Sequence, residues 1–370
     1  MQRIPMVNLQ RQYLSLKEEI DEAIQSVLYS SDFIMGEAVS EFESHLCQYL
    51  GARFAVGCAS GTDALQIALM AFGVGPGDEV ITSPFTFVAT AETIALLGAR
   101  PVYVDIDLRS YNIDPNLIAN RITSRTKVII PVHLFGQPAD MAPILSLARE
   151  KGLRVIEDMA QAIGARYEDR AVGTLGDIGA LSFYPSKNLG AYGDAGAIVC
   201  NSPELAERCR LISLHGSKER YRHEVVGVNS RLDSLQAAIL DVKLKHLEDW
   251  ILARIQVAGR YDEALRGLDL VVPYRAPNSR HVYHQYSIRT SRRDVLSDFL
   301  VDRGVANAIY YPIPLHLQPA YQPLAESGTR FPVAEKVSKE IISLPMFPEL
   351  EDKEIETITS ALVEFFRQSN

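Results

Sequence analysis

The sequence predicts an α/β fold in which a large, mostly parallel sheet is sandwiched between helices and is followed by a smaller C-terminal α+β domain. Between residues 54 and 200, short apolar segments alternate with segments in which apolar residues recur at helical spacing. Repeated strand–helix–strand units with nearly continuous apolar strands are typical of a parallel sheet covered on both faces. An uninterrupted helical pattern from 232 to 267 then breaks the alternation. We therefore place a large domain, with an N-terminal arm, at residues 1–245 and a smaller domain at 246–370.

The elements of the large domain follow one another in a regular order. Helices are predicted at residues 63–72, 88–98 and 142–152, where apolar residues lie three or four positions apart. Strands are predicted at residues 54–58, 78–84, 101–107, 127–136, 153–161, 180–185 and 196–200. Ligands of such sheets bind at the loops that leave the carboxyl ends of the strands, so we expect the functional residues in those loops.

The C-terminal part of the chain has a different order of elements. The long helix at 232–267 is followed by a predicted strand at 282–290, a helix at 291–304 and a closing helix at 351–368. This succession suits a small α+β domain.

The composition indicates a globular protein and excludes several classes of partner. The 370 residues are 47% hydrophobic, which is enough to bury a large core. A net charge of −9 and a pI near 5.5 do not support a broad basic surface for nucleic acid. No apolar run approaches the length of a membrane span, and residues 1–13 contain no hydrophobic signal core. The four cysteines show neither CxxC spacing nor a histidine partner, so we expect no metal site and a reducing, cytoplasmic compartment.

One lysine stands in an unusual sequence context. Lys187 lies between an apolar strand pattern and a glycine-rich loop, in the stretch SFYPSKNLGAYGDAGAIVC. Most lysines are solvated surface charges, and taken alone Lys187 could be one of them.

Two strand-end segments carry polar residues. Ser60, Gly61 and Thr62 come before a predicted helix, where free backbone N–H groups and the positive end of the helix dipole suit a phosphate. An ordinary capped helix would show the same residues. Asp158 ends a predicted buried strand and Gln161 follows it, although capping of the next helix would also explain this carboxylate.

Together these residues match the needs of pyridoxal 5′-phosphate. That cofactor requires an amine to form an imine, an acid opposite the pyridine nitrogen, an aromatic face and a phosphate cup. Phe87, on a strand-to-helix loop, could supply the aromatic face, and a core aromatic is the alternative. Asp158 would keep the ring nitrogen protonated. Lys187 would attach the cofactor and then move a proton, which requires a lysine pKa lowered by burial and by neighbouring groups.

Seven segments carry a family resemblance. In chain order they are SGTDAL, TFVAT, IEDMAQ, SFYPSKN, GDAGAIV, GVNSRLDSLQAA and YYPIPLH, and the similarity extends from VNLQRQY near residue 7 to LPMFPEL near 350. With these motifs the chain closely resembles the DegT/StrS family of pyridoxal phosphate-dependent nucleotide-sugar aminotransferases, which have fold type I. The resemblance implies pyridoxal 5′-phosphate as cofactor, pyridoxamine phosphate as its second form, and a homodimer with shared active sites.

The resemblance also assigns roles to individual residues. Lys187 is implied as the Schiff-base lysine and Asp158 as the partner of the pyridine nitrogen. Gln161 is implied to bond the ring hydroxyl, and Phe87 to stack on the ring. The implied phosphate ligands are Gly61, Thr62 and Ser182, together with Asn229, which would reach the phosphate of the neighbouring subunit.

The family further implies a reaction and a substrate. The reaction moves the amino group of L-glutamate, which leaves as 2-oxoglutarate, to a nucleotide-linked keto sugar. Residues 215–233 resemble the branch that aminates carbon 3, and residues 89–107 are most similar to enzymes acting on UDP-2-acetamido sugars in surface polysaccharide or lipopolysaccharide biosynthesis. We therefore expect a UDP-2-acetamido-3-keto-hexose as the preferred substrate, with a TDP-3-keto-6-deoxyhexose as the alternative.

Several side chains are candidates for binding this sugar nucleotide. The residues that could pair with a diphosphate are Lys218, Arg220, Arg222 and His223, and a solvated charged loop is the alternative. Arg231 is expected to face the sugar. Tyr310 stands where relatives commonly have histidine, and a neutral phenol is a poorer partner for a carboxylate, so we expect a hydroxymethyl group on the sugar. The complete set of expected substrate-binding residues is Tyr184, Arg220, Arg231, Tyr310, Tyr311 and His316.

Four other functions are alternatives to this one. Dehydratases of the family carry histidine in place of the lysine, so Lys187 argues against them. Aromatic-amine synthases share the core motifs but differ in the substrate-side segments. A catalytically silent sensor that binds pyridoxal phosphate would keep the fold, whereas here the catalytic set is intact. For a nicotinamide dehydrogenase, the glycine segment at 73–79 follows a helix rather than a strand.

Overall fold

The structure, a computed structural model, describes residues 3–324 and 328–367. Its helices are α1 (Leu9–Ser15), α2 (Lys17–Ser30), α3 (Glu37–Leu50), α4 (Gly61–Ala71), α5 (Ala89–Leu96), α6 (Pro115–Ile118), α7 (Met141–Lys151), α8 (Pro203–Ser213), α9 (Ser234–Ala264), α10 (Arg293–Asp302), α11 (Pro332–Glu340) and α12 (Asp352–Arg367). Its strands are β1 (Phe54–Cys58), β2 (Glu79–Thr82), β3 (Arg100–Tyr103), β4 (Thr126–Ile130), β5 (Arg154–Asp158), β6 (Arg166–Tyr167), β7 (Arg170–Ala171), β8 (Ile178–Ser182), β9 (Gly196–Cys200), β10 (Ser217–Glu219), β11 (Arg222–His223), β12 (Ser279–Arg280), β13 (Tyr286–Arg289) and β14 (Ile341–Leu344).

Seven of these strands form one sheet, in the order β1-β9-β8-β5-β4-β2-β3. The four pairs from β8 to β3 are parallel. Strand β9 runs antiparallel to both of its neighbours, β1 and β8. The sheet confirms the predicted α/β fold with a large, mostly parallel sheet.

Strand β9 is apolar and buried along its whole length because both faces of the sheet are covered. Successive side chains of a strand point to opposite faces. In β9, Ala197 and Val199 pack into a core shared with α3 and α9, whereas Ile198 packs into a core shared with α4 and α8. Helices therefore sandwich the sheet, as the sequence pattern predicted.

Helix α9 runs from one hydrophobic core into another. Leu240 packs into the core against the large sheet, whereas Val257 and Tyr261 pack into a separate core with α10, α12 and the antiparallel pair β13/β14. The boundary predicted between residues 245 and 246 falls inside this helix. At the N-terminus, Ile4 pairs with Val305 and joins the second core.

Several predicted strands are shorter than the sequence suggested, and two of them lie next to irregular backbone. The strand expected at 127–136 ends at Ile130, because Phe135 takes a φ of 58°, which an extended strand does not contain. The strand expected at 282–290 begins at Tyr286, because Tyr283 has a φ of 46°. Both irregular segments lie beside the functional site described below.

At the C-terminus, the sequence patterns did not predict α11 or β14. The closing helix is observed as α12, and its predicted last residue, Gln368, lies outside the described residues. Within the described ranges, no helix combines the length and apolar character needed to cross a bilayer.

Candidate active site

A cavity of about 690 Å³ opens at the carboxyl ends of the large sheet. Its wall combines the loops after β2, β5 and β8, the start of α4, and segments around residues 284 and 310. The predicted site residues that line it are Ser60, Gly61, Thr62, Phe87, Asp158, Gln161, Ser182, Tyr184, Lys187, Tyr310 and Tyr311. The fold thus brings side chains from distant parts of the chain onto one surface.

The start of α4 forms a narrow cradle at this wall. Ser60 caps the helix, since its Oγ accepts a hydrogen bond from the Asp63 N–H at 3.1 Å. The N–H groups of the first helical turn have no partner within the helix, so those of Gly61 and Thr62 are available to an anion. A Cβ atom on Gly61 would lie 2.5 Å from Cβ of Ser182, so only glycine fits there. The cradle therefore suits a small, negatively charged group such as a phosphate.

Asp158 is a buried carboxylate at the end of β5. It accepts hydrogen bonds from the hydroxyl of Thr90 at 2.8 Å and from the N–H of Ala160 at 3.2 Å. Burial raises the pKa of the Asp158 carboxyl, and these two hydrogen bonds act in the opposite direction because they favour the carboxylate. The side chain can therefore hold a charge that faces the cavity once a cationic partner is present.

Lys187 reaches the same cavity from the loop after β8. The loop turns back on itself, with the Lys187 N–H bonded to the carbonyl of Tyr184 at 2.8 Å. Removal from bulk water lowers the pKa of the Lys187 amine to about 8, although the charge of Asp158 acts to raise it. A partly neutral amine can act both as a nucleophile and as a base.

Gln161 and two aromatic rings complete the opposite side of the cavity. The Gln161 side chain accepts from the Phe135 N–H at 2.7 Å and donates to the Tyr311 hydroxyl at 3.0 Å, so its amide has a fixed orientation. Phe87 keeps 55% of its surface exposed, which excludes the alternative that it is a core aromatic. Its ring centroid lies 6.4 Å from that of Tyr311. These side chains present an aromatic face and an amide N–H to the cavity.

The structure separates His316 from the predicted substrate-binding set. Its ring is buried against Phe331, with centroids 4.7 Å apart. Its Nε2 lies 3.4 Å from Oε1 of Glu335, and Arg330 binds the same carboxylate. These packing contacts hold the imidazole away from the cavity wall.

Three further predicted residues also lie outside the cavity of their own chain. Arg220 is on the turn between β10 and β11, with its guanidinium carbon 5.0 Å from the ring centroid of Tyr221. Asn229 is exposed, and Arg231 is partly buried. The basic residue Lys218 forms an ion pair with Glu207. Within one chain, these side chains do not converge with Lys187.

Sequence reasoning missed several residues of the cavity wall. Thr90, the hydrogen-bond partner of Asp158, lies at the end of the TFVAT motif and could have been found there. Asp194, His284 and Gln285 also line the cavity. A single histidine in an apolar segment gives no signal, since such a residue is usually part of the core.

The residues present fit pyridoxal phosphate. The amine of Lys187 makes no hydrogen bond to any residue that the structure describes, so it is available for covalent attachment. Asp158 could face the ring nitrogen, Phe87 could cover the ring, and the cradle at Gly61 could hold the phosphate. Elsewhere in the described chain, no group of three or more histidine, cysteine or acidic residues is arranged to hold a metal ion.

Known proteins resemble the chain over almost its whole length. It is 50% identical to the pleiotropic regulatory protein of Geobacillus stearothermophilus, over 98% of this chain and 99% of that protein. It is 48% identical to the UDP-2-acetamido-2-deoxy-3-oxo-D-glucuronate aminotransferase of Pseudomonas aeruginosa, over 97% and 99% of the two chains. It is 47% identical to the UDP-N-acetyl-3-dehydro-alpha-D-glucosamine 3-aminotransferase of Acidithiobacillus ferrooxidans, over 97% of both.

The fold comparison agrees with these sequence similarities. The crystal structure of DesV from S. venezuelae superposes with a TM-score of 0.97 at 42% identity, over 99% of each chain. The model of the DegT/DnrJ/EryC1/StrS aminotransferase family matches residues 14–363. The predicted family, fold type I and cofactor are therefore confirmed. The chain belongs to the DegT/DnrJ/EryC1/StrS aminotransferase family and is a pyridoxal phosphate-dependent sugar aminotransferase.

Proposed function

We propose that this aminotransferase moves the amino group of L-glutamate to carbon 3 of a nucleotide-linked 3-keto-hexose. The observation that carries the proposal is a single cavity wall that holds the desolvated amine of Lys187, the buried carboxylate of Asp158 and the open start of α4. In the first half of the reaction glutamate gives up its amino group and leaves as 2-oxoglutarate. In the second half the keto sugar accepts that group.

In this proposal each cavity residue has a binding role toward the cofactor. When bound, pyridoxal phosphate supplies an electron sink for the carbon that carries the amino group. Asp158 keeps the ring nitrogen protonated, Gln161 donates to the ring hydroxyl, and Phe87 stacks on the ring. The phosphate ligands are Gly61, Thr62 and Ser182.

Lys187 moves the proton in both halves of the reaction. With a pKa of about 8, its amine is neutral in about one molecule in ten at pH 7, against fewer than one in a thousand for an ordinary lysine. The neutral amine can take a proton from a carbon and return it as the ammonium.

The sugar we place first is a UDP-2-acetamido-3-keto-hexose with a hydroxymethyl group. Both relatives that are named as enzymes above act, by their names, on UDP-linked 3-oxo sugars with an acetylated amino group at carbon 2. Among the described residues of the cavity wall, Lys187 is the only lysine or arginine. Burial, together with the neighbouring Tyr184, raises the pKa of the Tyr310 phenol, so it stays neutral at pH 7. A wall with neutral phenols suits a hydroxymethyl group better than a carboxylate.

In this proposal, a second copy of the chain completes the binding sites for the nucleotide and for the cofactor phosphate. Arg220 and Asn229 are exposed and lie outside the cavity of their own chain. A homodimer would let Asn229 reach the partner's phosphate and would let the basic hairpin β10–β11 pair with the nucleotide diphosphate. We place the enzyme in the cytoplasm, in surface polysaccharide or lipopolysaccharide sugar biosynthesis.

A matched panel of keto sugars tests the substrate. Glutamate-dependent amination is measured with UDP-2-acetamido-3-keto-glucose, with its uronic acid, and with the TDP-3-keto and TDP-4-keto 6-deoxyhexoses. We expect the first to be preferred. A preference for the 4-keto sugar contradicts the carbon-3 assignment, and a preference for the TDP-3-keto sugar selects the alternative named from the sequence.

Two variants of Tyr310 test the role that we assign to its phenol in selecting the sugar. Tyr310→His should raise use of the uronic acid relative to the hydroxymethyl sugar, because a protonated imidazole pairs with a carboxylate. Tyr310→Phe, which removes only the hydroxyl, should not. If wild type already prefers the uronic acid, the role given to Tyr310 is wrong.

The alternative of another class named from the sequence is a catalytically silent pyridoxal phosphate-binding sensor. It is favoured by one observation, the regulatory name of the relative from Geobacillus stearothermophilus. A sensor would bind the cofactor and show its visible absorbance, yet would form no 2-oxoglutarate from glutamate with any sugar of the panel. Turnover with one of these sugars excludes it.

A further inference from the structure

His284 is a buried histidine on the cavity wall that the chemistry above does not use. Only 6% of its surface is exposed, and it lines the same cavity as Lys187. Its Nδ1 has no hydrogen-bond partner among the residues that the structure describes. Among the described buried side-chain nitrogen and oxygen atoms without a partner, it alone belongs to a residue of the cavity wall. Buried polar atoms without a partner are rare in folded proteins, so this one points to a hydrogen-bond donor that forms close to it during function.

The backbone around His284 is fixed relative to the reacting lysine. The side chain of Asn188, the residue after Lys187, donates to the carbonyl of Val282 at 3.0 Å. The Val282 N–H in turn donates to the carbonyl of Gly136 at 3.0 Å. A Cβ atom on Gly136 would lie 3.1 Å from the backbone nitrogen of His284, so the two turns are packed closely together. The imidazole is therefore held at a defined place on the wall.

The charges around His284 keep the imidazole neutral. Burial lowers its pKa well below the usual value, and the positive charges of Lys187 and Arg254 lower it further. The acidic side chains on the same cavity wall are those of Asp158 and Asp194. A neutral imidazole has one N–H and one nitrogen with a free lone pair.

We infer that His284 is a positioning residue whose Nδ1 accepts a hydrogen bond from the ammonium that Lys187 forms when it takes a proton. This inference rests on the proposed function, in which Lys187 is the proton carrier. When the C–H bond of the amino donor breaks, the electron pair stays on the carbon side and the proton forms a new N–H bond at Nζ. The resulting cation is buried away from bulk water, where an acceptor stabilises it. A neutral acceptor stabilises the ammonium without adding a negative charge, which would compete with Asp158 for a cationic partner.

The test measures the pKa of the Lys187 amine in protein freed of cofactor. The amine is labelled with acetic anhydride over a range of pH, and the extent of labelling is read by peptide mass spectrometry. His284→Leu removes the acceptor, so the pKa of Lys187 should fall by about one pH unit, since the ammonium loses a hydrogen bond. His284→Asn should leave it close to the wild-type value, because the amide oxygen can take the place of Nδ1.

A second histidine of the same segment is a matched control. His281 is also 6% exposed, but its Nδ1 accepts from the Tyr283 N–H at 2.9 Å, and it does not line the cavity. His281→Leu should leave the pKa of Lys187 unchanged. If His284→Leu does not fold, His284→Gln is measured in its place. The glutamine amide lies near the position of Nε2 rather than that of Nδ1, so the pKa of Lys187 should fall in this variant too.

Two outcomes would overturn the inference. One is a Lys187 pKa in His284→Leu that equals the wild-type value, and the other is an equal shift in His281→Leu. This measurement uses neither glutamate nor a sugar. Wild-type protein that forms no 2-oxoglutarate contradicts the proposed function, whereas an unmoved pKa contradicts only the role of His284.

Discussion

Replacement of Asp158 by asparagine separates a chemical role from a structural one. The carboxylate accepts from Thr90 through one oxygen and from Ala160 through the other, and it is 5% exposed. Asp158→Asn keeps the volume and removes the charge, and the Thr90 hydroxyl can turn to accept from the new NH2 group. If the charge holds the cofactor's ring nitrogen protonated, its loss removes a preorganised electrostatic partner of the transition state. Such losses cost about 3 to 4 kcal/mol, so we expect kcat to fall about 100- to 1,000-fold.

The effect of Asp158→Asn on stability should have the opposite sign. Burial raises the pKa of Asp158, so the folded, cofactor-free protein holds this proton more tightly than the unfolded chain does. The contribution of this group to stability is therefore greatest below the ordinary carboxyl pKa and is lost as pH rises through the raised value. Asparagine avoids the buried charge, so at pH 7 the cofactor-free variant should be at least as stable as wild type.

Two assays on the same preparations check this reasoning. The first is the release of 2-oxoglutarate from glutamate, and the second is the thermal midpoint of the cofactor-free protein. Asp177→Asn is a control in the turn before β8, where the carboxylate binds the Val155 N–H at 2.8 Å, outside the cavity. It should leave the rate unchanged. Near wild-type turnover in Asp158→Asn would make Asp158 a structural residue of the turn after β5 rather than a cofactor ligand. A thermal midpoint several degrees below wild type would contradict the argument about stability.

Three further predictions concern the amine, the phosphate cradle and the dimer. Because the pKa of Lys187 is about 8 and its amine is neutral above that value, covalent attachment of pyridoxal phosphate to cofactor-free protein should speed up toward about pH 8 and then level off, as followed by absorbance. A rate that still rises at the ordinary lysine pKa contradicts this. Gly61→Ala places a Cβ atom 2.5 Å from Cβ of Ser182 and should weaken cofactor binding at least about tenfold in an equilibrium titration. Gly259→Ala, where a Cβ atom meets nothing within 4 Å, should not, and equal affinities would remove the cradle from the phosphate site. Mixing inactive Lys187→Ala with inactive Asn229→Ala should restore part of the activity through shared sites, and no recovery in verified mixed dimers would place Asn229 elsewhere.

Much of the candidate site could be predicted because the chemistry lies in strand-end loops. Asp158, Lys187 and the start of α4 each lie at or after the end of a strand, and parallel strands bring their carboxyl ends to one edge of the sheet. His316 could not be placed in this way. Its position depends on packing against Phe331 and on the carboxylate of Glu335, and the YYPIPLH motif contains neither of these residues.

The sequence by itself determined the sheet class and the identity of the reacting groups. Continuous apolar strands indicate a sheet buried on both faces, and an amine, an acid and a helix start at strand ends are local features of the chain. The tertiary structure alone decided the properties of these groups. The lowered pKa of Lys187 comes from desolvation by residues distant in sequence, and His284 reaches the wall because the turns at Gly136 and Val282 bond to each other. Desolvation and such non-local hydrogen bonds depend on which segments meet in space, and local sequence patterns carry no record of that.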